Sequence, residues 1–475
     1  MLLNALNVMG NCRFLRQKKQ VKINGEWVDT RSLRYLPLCD ESHSIVSIRG
    51  GLTNHIYNVG LVGGENAQIE TSNTGSGSIE IAPTAIISGV TDIDIDHVRP
   101  IPDTDAVQIY NCKIKSLQLT YTKKLKIYCS SLLDGEHIPN YSWGGNFGGS
   151  HFSEIYLEPS AVSNLTTMQY MFSFCSKLTS LDVSNWNTNN ITSMRCMFDH
   201  CINLTSLDVS NWNTSNVTDM ECMFDSCIGL TSLDVSNWDT SNVTTMRYMF
   251  IRCENLTSLD VSNWNTENVT DMTQMFYECE NLTSLDVSNW NTSKLRNMYG
   301  IFAGCSKLQS INVSNWDTSN CISMWSMFQG CSSLKSLDVS NFTISWGNAI
   351  DGMFEGCSSL KSLNVSGWDI TNTSGIANMF NGCSSLVSLD LSSWDTSNIM
   401  NMDYMFRGCS SLVSLDLSGW DMSKVSYRYI EDMFKYCFSL KTIRMIGCAQ
   451  TTIDKIKYAL SSSKIPSNQV TIITE

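Results

Sequence analysis

A block of 26 residues, LTSLDVSNWNTxNVTxMxxMFxxC, recurs over more than half of the chain and limits the fold more than any other feature. Its Trp falls at Trp186, Trp212, Trp238, Trp264, Trp290, Trp316, Trp368, Trp394 and Trp420, and Phe342 takes the one missing turn. The Phe of the Met-Phe pair falls at Phe172 and every 26 residues up to Phe406, then at Phe434, 28 residues on. Two residues are therefore inserted between Met405 and Met433, around Val425 to Tyr429. A repeat of this length packs only on its neighbours, so its core grows in one dimension. The 475 residues then need not divide into several conventional domains.

Each repeat reads as two pieces. In Leu178-Thr179-Ser180-Leu181-Asp182-Val183-Ser184, Leu181 and Val183 point one way and Ser180, Asp182 and Ser184 the other. Period two predicts a strand with one buried face. Ile191, Met194, Met197, Phe198, Cys201 and Leu204 follow at spacings of three and four, which predict helical turns, α or 3₁₀. Asn185 to Asn190 form the turn between the pieces and offer capping side chains. One repeat cannot bury both faces alone, so strand must add to strand. The expected fold is an α/β repeat: a parallel β solenoid of about eleven coils with a helical outer side, capped at both ends. The 26-residue period lies in the 20–29 window of leucine-rich repeats.

The expected divisions are residues 1–84, 85–164, 165–446 and 447–475. Residues 1–84 carry no repeat and are an anchor or assembly module. Within them Glu65 to Ser78, rich in Gly, Ser, Thr and Asn, reads as a loop. Residues 85–164 hold irregular entry coils, with short alternating strands at 106–110, 117–119 and 125–127. Residues 165–446 are the repeats. Residues 447–475 are the cap, with an amphipathic helix over Thr452 to Leu460 and a last strand at Val470 to Ile473.

Net charge is −13, which argues against a nucleic-acid partner, since phosphate binding needs Lys and Arg in excess. The first forty residues are a basic exception, with Arg13, Arg16, Lys18, Lys19, Lys22, Arg31 and Arg34; they read either as a solvated arm or as a dock for an acidic partner. No apolar run approaches the roughly 18 residues of a membrane helix. The apolar run MLLNALNVMG precedes the basic RFLRQKKQ, the reverse of a secretory signal, so none is expected.

Cys175, Cys201, Cys227, Cys253, Cys279, Cys305, Cys331, Cys357, Cys383, Cys409 and Cys437 share one apolar position of the repeat. A buried free-thiol ladder is expected there in preference to disulfides. No zinc site is expected, because no CxxC pair occurs and only His200 lies within the repeats. Asp92, Asp94, Asp96 and His97 alternate in TDIDIDHV and read as a polar strand face, with a hard-cation site as the alternative. No GxSxG, HExxH or P-loop is present, so no catalytic residue, enzyme activity or cofactor is expected. The NxT and NxS triplets arise from the repeat itself and are not read as glycosylation sites.

Two sets of residues are candidates for binding. Asp182, Asp208, Asp234, Asp260, Asp286, Asp338, Asp390 and Asp416 repeat at one outward strand position, interrupted by Asn312 and Asn364. Like charges on adjacent strands repel. Either Ser180- and Ser184-type hydroxyls and water offset that repulsion locally, or the row is a face for a cationic partner or Ca²⁺. The second set varies between repeats after the first Met: Arg195, Arg247, Tyr248, Tyr299, Trp325 and Tyr404. Varied aromatic and charged groups on a rigid frame suit an interaction surface, and they also suit a drifting solvent face.

The pattern LTSLDVSNWNTSNVTDMxxMFxxCxxL, over Leu165 to Ile446, resembles the repeat of the BspA-like leucine-rich-repeat surface proteins of bacteria. Asn185 stands eighth and Trp186 ninth, where the general leucine-rich pattern has Asn ninth, so no conventional buried Asn ladder is expected. The resemblance implies surface display and binding to host proteins or other cells, and implies no activity. The expected function is non-enzymatic recognition, adhesion or structural display. The setting is a bacterial surface or a virion exterior, such as a bacteriophage tail or head appendage; the missing signal favours the virion. The partner is a protein or cell-surface ligand, with the N-terminal region on a larger assembly. The alternative is an intracellular bacterial scaffold.

Overall fold

The computed structural model describes residues 147–149, 152–344 and 350–475, and before them the course of strands between residues 20 and 132. Two compact units form: Met1–Val217 with Met223–Leu230, and Thr218–Cys222 with Thr231–Glu475.

In the first unit, parallel pairing links Ile45–Arg49, Gly60–Thr71, Ile86–Val98, Val107–Tyr110, Lys124–Tyr128, Glu154–Leu157 and Ser180–Leu181 in that order. The pairing thus begins ahead of residue 85. The loop expected over Glu65 to Ser78 is replaced in its first part by the strand Gly60–Thr71, whose register shifts between Val62 and Ala67, around Gly63 and Gly64. The side chains of residues 1–84, including the basic start, and those of Asp92, Asp94, Asp96 and His97 lie outside the described residues.

Within the repeats the expected alternation holds: Leu181 and Val183 are buried, Ser180 and Asp182 exposed. Regular strands are nonetheless short. They appear at Ser180–Leu181, Ser388–Asp390, Ser414–Asp416 and Thr442–Arg444, and elsewhere neighbouring repeats meet through single parallel bridges such as Ser232 to Ser258 and Ser258 to Ser284. Side chains divert the backbone groups that a longer ladder needs. The Ser184 N–H goes to Asp182 Oδ1 at 3.1 Å, and the Val183 carbonyl accepts the indole N–H of Trp212 at 3.0 Å.

The expected helical outer side is not what forms. Met168 to Cys175 and its copies are a ribbon of consecutive turns. Two residues in nearly every repeat adopt left-handed backbone: Tyr170 (φ 55) and Phe174 (φ 59), Cys196 and His200, Tyr248 and Arg252, and so on to Tyr404 and Gly408. An α-helix needs every residue right-handed, with each N–H bonded four residues back. Here alternate N–H groups leave the repeat. Those of Tyr170, Phe172 and Phe174 donate to Arg195, Met197 and Asp199 at 2.9, 2.8 and 2.6 Å. Those between, of Met171, Ser173 and Cys175, close turns on Met168, Tyr170 and Phe172 at 3.3, 3.1 and 3.0 Å. The second unit repeats this pattern: Tyr248, Phe250 and Arg252 donate to Thr273, Met275 and Tyr277. Two joined turns bury residues at spacings of three and four, as a helix does.

The core is a set of ladders. Phe147, Phe172, Phe198 and Phe224 stack in the first unit at 5.4, 5.6 and 5.7 Å. Phe250 to Phe434 stack in the second at 5.7–6.0 Å. The Trp rings stack beside them, as in Trp264 on Trp290 at 6.5 Å. The repeat Cys are buried, and within each unit they donate the S–H to the Phe carbonyl of the preceding repeat, as Cys201 does to Phe172 and Cys305 to Phe276, both at 3.2 Å. The inserted residues form a 3₁₀ turn, Tyr427–Tyr429.

The second unit ends in an α-helix, Gln450–Ser462, and a strand, Thr471–Ile473, parallel to Thr442–Arg444. The helix buries Ile453, Ile456, Ala459 and Leu460. It also buries Lys455, whose ammonium donates to the carbonyls of Met422 (2.6 Å), Val425 (2.8 Å) and Ser423 (3.3 Å). At the Ser423 place an earlier repeat offers its carbonyl to an Asn of the next, as Ser293 does to Asn320 Nδ2 at 2.8 Å, and here the lysine takes that part.

Candidate recognition surface

The Asp row lies on the outward strand face; Asp416 is half-buried and the other seven are exposed. Each carboxylate is held the same way. Asp182 Oδ1 accepts the Ser184 hydroxyl at 2.7 Å and the Ser184 N–H at 3.1 Å. The pair recurs at Asp208, Asp234, Asp260, Asp286, Asp338, Asp390 and Asp416 with the Ser two residues on. The Ser before each Asp, expected to share this role, takes no part. These donors pull the carboxyls of Asp208, Asp286, Asp338 and Asp390 below the usual range, first through the hydroxyl and then through the N–H. Asn312 and Asn364 accept the same two bonds from Ser314 and Ser366. The turn therefore needs an acceptor and not a charge. Among the described residues, one cation approaches the row, at its end, where Arg444 lies 3.8 Å from Asp416.

The variable positions sit on the turn ribbon. In the first unit the Arg195 guanidinium donates to the Tyr170 hydroxyl at 3.1 Å. In the second, Arg247 lies 5.0 Å over the Tyr248 ring and 3.6 Å from Asp271. Tyr299 and Trp325, one repeat apart, meet at 5.4 Å and 37°. Tyr404 carries Arg407 at 5.1 Å, and Arg407 also reaches the Tyr436 ring at 5.8 Å. The last contact joins residues that sequence reasoning left out: Arg407 and Tyr436 lie at the other ribbon positions, which also vary between repeats. Trp325, at 49% exposure, and Phe438, at 71%, are the most open aromatic side chains of the described residues.

Two further clusters bear on chemistry. Asp199, His200 and Asp225 each bring one ligand atom within 4.8 Å of the others. His200 Nδ1 pairs with Asp199, its ring stacks on Phe174 at 4.4 Å, and Asp199 also accepts the Ser173 hydroxyl at 3.2 Å. The imidazole thus lies beside two carboxylates that the repeat places one copy apart. The fifteen described cysteines are free thiols. Burial pushes the thiols of Cys305, Cys383 and Cys437 up to about 12, far from the thiolate that nucleophilic or metal chemistry requires. No described helix is long and apolar enough to cross a membrane.

Residues 148–258, 197–309, 252–363, 278–386 and 348–449 each match a family described as Mycoplasma protein of unknown function, DUF285. No curated protein matches the sequence. The five matches lie in tandem and overlap, as expected when a family unit spans several copies of a shorter repeat. Together they run from residue 148 to residue 449, more than half of the chain, and the protein accordingly belongs to the DUF285 family of repeat proteins.

Proposed function

We propose that the repeats form a leucine-rich-repeat-type parallel solenoid, akin to the BspA-like surface proteins, that serves as a non-enzymatic recognition frame for a protein or cell-surface ligand. The division of labour within each repeat carries this reading. Phe, Trp, Met and Cys recur in fixed buried ladders, while ribbon positions such as 247, 299, 325 and 404 change from repeat to repeat on the same backbone. A repeating lattice with varied, exposed or half-buried aromatics and arginines has the composition of interface hot spots. On this reading the chain is displayed on a bacterial or virion surface. The free thiols favour a second setting, an intracellular scaffold.

The test is binding of the labelled full chain to host or bacterial cells and to a panel of immobilised extracellular proteins. Saturable binding that unlabelled chain competes away is expected. No saturable binding on any surface sinks the display reading. The Asp234→Asn, Asp260→Asn, Asp286→Asn triple variant then separates the two accounts of the Asp row. Weaker binding makes the row part of the ligand face; intact binding makes it local structure.

A further inference from the structure

Aromatic rings on the turn ribbon of the second unit are covered by the chain's own cations at two places. Arg247 lies over Tyr248 at 5.0 Å, and Arg407 lies over Tyr404 at 5.1 Å while reaching Tyr436 at 5.8 Å. Between them along the repeat, Tyr299 and Trp325 pair at 5.4 Å, and among the described residues no basic side chain lies over either ring. Trp325 is 49% exposed. The flanking groups are acidic. Asp351 holds the position of Trp325 one repeat on, but it is half-buried and its carboxylate accepts the Ala377 N–H at 2.9 Å, so it is left out of the site. Glu355 is fixed by two amides, Gln329 Nε2 at 2.8 Å and Asn381 Nδ2 at 2.9 Å. Gly352 separates indole from carboxylate: a Cβ placed on it would lie 3.8 Å from Trp325 Nε1 and 3.3 Å from Glu355 Oε2. An electron-rich aromatic pair beside an anchored carboxylate attracts a planar cation.

We propose that Tyr299 and Trp325, with Glu355 beside them, form a docking site for an arginine side chain of a protein partner. The site rests on the recognition role proposed above and names the chemistry of its occupant. It repeats, between two molecules, the contact that Arg247 and Arg407 make within one. A net charge of −13 favours the approach of a basic partner.

The test uses the full chain and two fluorescein-labelled peptides, one of alternating arginine and glycine, the other with citrulline for each arginine. Citrulline keeps the plane and loses the charge. Fluorescence anisotropy should show saturable binding of the arginine peptide and at least tenfold weaker binding of the citrulline peptide. Trp325→Ala should weaken the arginine peptide roughly three- to thirtyfold, the range of a cation–aromatic contact, and Trp325→Phe should retain most of the affinity. Charge attraction alone would leave Trp325→Ala within twofold of the parent, and that result overturns the proposal. Glu355→Gln gives an independent reading, with a severalfold loss for the arginine peptide and none for citrulline. If these peptides show no ring dependence while cell-surface binding persists, the occupant is wrong and the recognition role stands. If both fail, both fall.

Discussion

The Trp ladder contains its own control for a hydrogen bond. Trp264 stacks between Trp238 and Trp290, and its indole N–H donates to the Val235 carbonyl at 3.1 Å. Trp186 holds the same place in its repeat and stacks on Trp212 at 6.3 Å, yet its buried N–H meets no acceptor among the described residues. Both rings are almost fully buried, at 2% and 4% exposure. Replacement by Phe removes the same volume from each, so the cavity contribution cancels when the two are compared. At Trp264 the change also removes one net hydrogen bond, about 1 kcal/mol, although Val235 still accepts the Trp238 N–H at 3.1 Å. At Trp186 it removes an unpaired buried donor, a relief of about 1–3 kcal/mol. Trp264→Phe should therefore be more destabilising than Trp186→Phe by about 2–4 kcal/mol. Repeats open locally, so the readout is native-state hydrogen exchange of the flanking repeats, not a single unfolding midpoint. Equal effects at the two sites would refute the reasoning. Phe342 shows that the column accepts the smaller ring, since it stacks on Trp368 at 6.3 Å.

Lys455→Met keeps the aliphatic stem and removes the donor to three carbonyls, so it should cost roughly 3 kcal/mol. Exchange of amides between Met422 and Ile430 should quicken, and unchanged exchange there would exclude a capping role. Gly356 has φ +72, and an added Cβ would meet Gly330 at an ordinary 3.4 Å, so Gly356→Ala should cost about 1–2 kcal/mol through backbone strain alone; a neutral result in urea titration would contradict the left-handed ribbon. The depressed carboxyls of Asp208, Asp286 and Asp338 add stability above the ordinary Asp pKa of about 3.9, and that stability is lost as pH falls through their lowered values. Thermal midpoints should thus be flat near neutrality and fall in acid. The Asp208→Asn, Asp286→Asn, Asp338→Asn triple variant should show a shallower acid fall and a lower midpoint at pH 7, because Asn keeps the two bonds, as Asn312 and Asn364 do, without the charge; a steeper fall would reject this account.

Periodicity alone located the buried residues. Leu181, Val183, Met197, Phe198 and Cys201 are all buried, as alternation and the three-and-four spacing require. The form of the backbone was less legible. Met197, Phe198 and Cys201 are spaced as a helix would space them, and only the handedness at Cys196 and His200 makes turns of the segment. Glycine hints at this in later repeats, at Gly304, Gly330, Gly356, Gly382 and Gly408, but earlier copies put Phe174, His200, Ser226, Arg252 and Glu278 in the same left-handed place. The stability of the surrounding lattice overrides local preference there. The strands are shorter than alternation suggests because Asp182 and Trp212 divert backbone partners, and a side chain's choice of acceptor leaves no mark on hydropathy. The surface followed the same rule. The variable positions could be listed from the repeat, whereas the pairing of Tyr299 with Trp325, or of Arg407 with Tyr436, depends on which residues fall one repeat apart at neighbouring positions.

The two extra residues near Val425 have a wider consequence. Tyr427–Tyr429 bulges as a 3₁₀ turn, yet Phe434 still stacks on Phe406 at 5.7 Å and Cys437 still donates to the Phe406 carbonyl at 3.0 Å. The corner before the turn ribbon can change length while the lattice on either side keeps its phase. Foreign sequence spliced at the equivalent corner of any repeat would be carried as a passenger loop, which makes these corners grafting points for an engineer and the cheapest place for a lineage to try new loops.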